Sequence, residues 1–207
     1  MRAVPRDVPC NYVARWRSAT DSPIEAEPPR HGRTWIQKEP DRTGSELPSS
    51  FGSKVGYEEA MKLPKQSFFA LAAIGWVDGS LQRVEATGLL RAAKEADLSA
   101  QDYAEIEAST KVAQSIDALD VSGFGEWEKV LTYALAAWIA QVDGVVSTSE
   151  HTSLVVLGDK LGLSAPLRQR AATAANDIAC LPGGGRPDLY DFQKLAERLK
   201  ERMPHLK

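Results

Sequence analysis

The chain has 207 residues, 26% of them charged and 43% hydrophobic, which suits a soluble globular protein with one good-sized core. A net charge of −3 argues against nucleic acid or an anionic membrane as the main partner. No apolar run is long enough to span a bilayer and no signal peptide is visible, so the expectation is a cytoplasmic protein without a transmembrane segment.

Residues 1–52 hold seven of the twelve prolines and show no sustained period, which predicts a disordered or extended arm. Trp16 and Trp35 are isolated aromatics within it. Met61-Lys62-Leu63-Pro64, just before the first strong helix, offers an alternative start. A helical domain is expected over 53–185, and a C-terminal helix packed on that domain over 186–207.

From Gln66 to Val77 almost every residue is apolar or small, as in a helix buried on all sides, and Gly79 is expected to end it as a C′ glycine. The next helix is expected from about Gln82 to Ala96. A start signal at Ser99-Ala100-Gln101-Asp102 opens a third, reaching about Ser115, and 117–125 forms a connector. Trp127–Val142 is again mostly apolar and ends at Gly144. Ser147-Thr148-Ser149-Glu150 is a capping box for a helix reaching Lys160. Ser164 caps another helix, with Pro166 in its first turn. Beyond Gly183-Gly184-Gly185, a final helix is expected with Asp188 as its cap and its end before Pro204. No segment reads as a strand, so the fold class is all-α with about seven helices.

One pattern occurs twice. Asp78-Gly79-Ser80-Leu81-Gln82-Arg83-Val84-Glu85 returns 65 residues later as Asp143-Gly144-Val145-Val146-Ser147-Thr148-Ser149-Glu150. The register holds without a gap from Phe68/Tyr133 to Ala100/Ala165, and about a third of the paired positions are identical. This reads as a duplicated helix–loop–helix whose halves pack about a pseudo-twofold axis. Glu85 and Glu150 suit the first turn of a helix, where negative charge meets the positive end of the dipole. Asp78 and Asp143 do not suit the carboxyl ends of buried helices, where the dipole opposes them. No Lys or Arg lies between Asp143 and Glu150, so the compensating charge must come from elsewhere in the fold or from a bound cation. Four carboxylates together would favour Ca²⁺, Mg²⁺ or Mn²⁺ over softer metals, although neither loop has EF-hand spacing.

Ile74-Gly75-Trp76-Val77-Asp78-Gly79…Glu85 and Ile139-Ala140-Gln141-Val142-Asp143-Gly144…Glu150…Leu154…Leu157…Leu161-Gly162-Leu163-Ser164 resemble the TerB-like family of tellurite-resistance proteins, over about Pro64 to Leu181. That family also resembles the membrane-proximal part of a DnaJ-type co-chaperone. The resemblance implies a non-enzymatic helical bundle in bacterial stress responses to tellurite and related insults. It implies metal sensing, or scaffolding of membrane-associated complexes through a protein partner. Carried over by position, the metal-binding set is Asp78, Glu85, Asp143 and Glu150. A metal-free interaction scaffold using the same acidic loops is the alternative reading.

Other features carry less. The three glycines at 183–185 lack the Lys-Ser/Thr of a phosphate loop. His151 is matched by Ala86 in the first copy, and His31 and His205 lie in weakly patterned segments. Trp76 and Trp138 read as core. Cys10 and Cys180 form no metal or redox motif, and Cys180 is expected to be a small buried residue, unpaired in a reducing compartment.

Overall fold

A computed structural model describes residues 62–144 and 146–206. The arm over 1–52, with Cys10, Trp16, His31 and Trp35, lies outside the described residues, as does Met61. The described residues form seven α-helices and no strand: α1 Lys65–Gly75, α2 Arg83–Glu95, α3 Ala100–Ser109, α4 Glu126–Ile139, α5 Thr148–Lys160, α6 Ala165–Ala179 and α7 Phe192–Arg202. The all-α expectation therefore holds.

Two apolar helices form the centre. In α1, Phe68, Ala70, Leu71, Ala72, Ala73 and Ile74 are all buried, and in α4 every residue from Val130 to Ile139 is buried. Neither helix has a face suited to water, so each must be covered by other elements. They cover one another, while α2 and α3 pack on α1, and α5 and α6 pack on α4. Where α1 meets α4, the Thr132 hydroxyl donates to Ser67 Oγ at 2.8 Å, and both residues are fully buried. The two positions are 65 residues apart, the same offset that relates the two copies of the sequence pattern.

The C-terminal segment completes the core. α7 packs against α6 and buries Phe192, Leu195, Ala196 and Leu199. Trp138 lies 4.2 Å from Tyr190 and 5.2 Å from Phe192, ring centre to ring centre, and the Tyr190 hydroxyl donates to the Ala175 carbonyl at 3.0 Å. This pairing lets a tyrosine lie at the centre of an apolar cluster without an unsatisfied hydroxyl.

Several boundaries differ from expectation. α3 stops at Ser109, and a short 3-10 turn at Ile116–Ala118 follows it. Ser99 caps α3 as expected, accepting from the Asp102 amide, whereas Ser164 occupies the N-cap of α6 without a capping hydrogen bond. α7 is capped by Asp191, which accepts from the Lys194 amide at 2.9 Å, and Asp188 instead pairs with Arg186. Cys180 is exposed and disulfide-bonded rather than buried and unpaired. That removes the argument for a reducing compartment drawn from unpaired cysteines. No helix among the described residues is long and apolar enough to cross a membrane.

Candidate functional site: two acidic loops that meet

Both central helices end earlier than their apolar runs. α1 ends at Gly75, and an extra turn is closed by Val77 N–H to Ile74 O at 3.2 Å and Gly79 N–H to Trp76 O at 2.9 Å. α4 ends at Ile139, and its extra turn is closed by Val142 N–H to Ile139 O at 3.1 Å and Gly144 N–H to Gln141 O at 2.9 Å. The same four positions are used in both copies. Gly79 and Gly144 have φ of 91° and 87°, a region that strains any residue with a Cβ. They therefore close the extra turns, and neither is the C′ residue of its helix.

This placement changes the account of the aspartates. Asp78 and Asp143 lie beyond the last helical residues and are exposed, so the helix dipole opposes them only weakly. The glutamates go the other way. Glu85 and Glu150 are 4% and 7% exposed and face the start of their own helices. Glu85 Oε2 accepts from the Gln82 amide at 2.7 Å, and Glu150 Oε2 accepts from the Ser147 amide at 2.8 Å. Ser147 Oγ in turn accepts from the Glu150 amide at 3.1 Å, which completes the capping box expected there.

The loops touch across the bundle. Gln82, at the start of α2, donates through its side-chain amide to Asp143 Oδ2 at 3.4 Å. Ser149, in the first turn of α5, donates to Asp78 Oδ1. Each aspartate thus takes a hydrogen bond from the helix start of the opposite copy. The exchange is not residue for residue, because Gln82 matches Ser147 and Ser149 matches Val84 in the 65-residue register. Gln82 and Ser149 were not foreseen as site residues, since their role exists only once the loops meet.

The four expected residues are close enough to influence one another. Burial pushes the Glu85 carboxyl up to about 7; the Gln82 amide opposes this, and Glu150, Asp143 and Asp78 all add to it. Glu150 is raised in the same direction, again mainly by burial, with Ser147 opposing and Asp78 and Asp143 adding. Yet no three His, Cys, Asp or Glu side chains among the described residues come together closely enough to hold a metal ion. His151 is exposed on α5, and His205 is exposed near the C-terminus.

No family model, curated protein or solved structure matches the chain.

Proposed function

We propose that the chain is a non-enzymatic TerB-like module of a bacterial stress response, whose paired Asp-Gly…Glu loops form one acidic face that receives positive charge from a protein partner. One observation carries this reading. The charged groups acting on the buried Glu85 are Glu150, Asp143 and Asp78, all negative and all on other elements. A face that repels its own carboxylates is stabilised when a cation arrives. The 65-residue register of Ser67 and Thr132, and the matching turns at Gly79 and Gly144, support a pseudo-twofold arrangement as the device that joins the loops.

A lysyl or arginyl side chain fits the geometry better than a bare ion. Each glutamate already directs one oxygen to a backbone amide, and each aspartate accepts a hydrogen bond from the other loop. A flexible cation can meet single exposed oxygens, whereas Ca²⁺, Mg²⁺ or Mn²⁺ needs several on a short radius. Divalent binding remains the second reading, favoured by the mutual repulsion of the four carboxylates. It requires the loops to rearrange so that more carboxylate oxygens converge.

A heptalysine peptide should bind with an affinity that falls with salt and drops by up to about thirtyfold in Asp78→Asn/Asp143→Asn, because each lost charge pair at a surface is worth up to about 1 kcal/mol. Equal binding by wild type and double variant would refute the acidic-face reading. The divalent reading predicts instead that a hundredfold excess of cation over its dissociation constant adds about 2.7 kcal/mol of stability, and that Asp143→Asn abolishes the gain.

A further inference from the structure

Beside the acidic loops lies an open cavity of about 360 Å³, within the size range of small binding pockets. Trp76 and Val77 at the end of α1 form one wall, Ile116 and Asp117 of the 3-10 turn a second, and Ser153 and Val156 of α5 a third. Trp76 is not the core residue expected from the apolar run around it, because its ring is only partly buried. Its indole N–H donates to the Ser109 carbonyl at the end of α3 at 3.3 Å, which fixes the ring in place. Val156 is 42% exposed at the rim.

The cavity lining adjoins the acidic loops along the chain. Val77 in its wall precedes Asp78 directly, and Ser153 lies one helical turn beyond Ser149, the residue that donates to Asp78. Asp117 also lines the cavity, is exposed, and takes part in no ion pair among the described residues. Lys160 approaches this turn, but it donates to the Asp117 backbone carbonyl and does not line the cavity.

We infer that the cavity is the anchor pocket for a basic, amphipathic segment of a protein partner, with an apolar side chain seated against Trp76 and flanking lysines or arginines on Asp78 and Asp117. A mixed wall, apolar at Trp76, Val77, Ile116 and Val156 and polar at Gln114, Ser115 and Ser153, with Asp117 in its lining and Asp78 next to Val77 in the chain, selects this combination over an anionic or purely polar segment. A fixed indole also suits it, since an aromatic ring receives both an apolar group and a neighbouring cation. The inference rests on the reading of the loops as an acidic receiving face.

The test uses a seven-residue peptide with two lysines and an alanine on each side of a central phenylalanine, followed by NMR of the full chain. The Trp76 indole N–H and the Ser153 amide should shift saturably. Replacing the central phenylalanine by alanine should weaken binding at least tenfold, as should Val156→Lys, which places a positive charge on an already exposed rim position. Replacing the lysines by glutamates should abolish binding. Should the alanine peptide bind as well as the phenylalanine peptide, with Val156→Lys neutral and Asp78→Asn/Asp143→Asn still harmful, the pocket is overturned and the acidic face stands. If Asp78→Asn/Asp143→Asn leaves all binding unchanged, or if no lysine peptide shifts these signals, both fall.

Discussion

Glu85 shows how one side chain can serve two opposed demands. Its carboxylate caps α2 through the Gln82 amide, which favours the charged form, while its burial favours the neutral form. Burial prevails and holds the carboxyl near 7. A raised folded-state value means that the folded protein keeps its proton where the unfolded chain has lost it. Stability contributed by this residue is therefore full below the ordinary glutamate range and is lost as pH rises toward about 7. Glu150 is shifted in the same direction and adds to the trend. Glu85→Gln keeps an oxygen for the Gln82 amide and removes the charge. It should be more stable than wild type at pH 8, by at most about 3 kcal/mol, and should show a flatter profile between pH 5 and 7.5. Denaturant melts across that range check this; a wild type that gains stability steadily up to pH 8 contradicts it.

At the scale of elements, apolar patterning made the helices legible and left their ends less so. The seven-helix content, the capping box at Ser147 and the start at Ser99 follow from short-range rules visible in the chain. The ends of α1 and α4 did not, because the residues after Gly75 and Ile139 are as apolar as those before, and only the turn geometry separates them. The same blindness affects Trp76 and Trp138, which stand in similar apolar surroundings. Trp138 is 2% exposed among Tyr190 and Phe192, whose place beside it depends on the return of the C-terminal segment. Trp76 lines the open cavity. Trp138→Ala should cost about 3–5 kcal/mol, and Trp76→Ala less than about 2 kcal/mol for its partial burial and one hydrogen bond. Chemical denaturation of both variants measures the difference; equal losses would mean that the two rings share one environment.

Across the whole molecule, the four carboxylates were legible as candidates but their partners were not. The repeated Asp-Gly…Glu pattern marks Asp78, Glu85, Asp143 and Glu150, whereas Gln82 and Ser149 become donors only when α1 and α4 pack and bring the loops together. The central claim is that this packing makes one electrostatic unit from two copies of a sequence pattern. Titration of the Glu85 side-chain carboxyl carbon by NMR, in wild type and in Asp143→Asn, tests it most directly. The account predicts a midpoint near 7 in the wild type and a lower one in the variant, because a negative neighbour on the opposite loop has been removed. A midpoint in the ordinary glutamate range, or one that Asp143→Asn leaves unmoved, would contradict it.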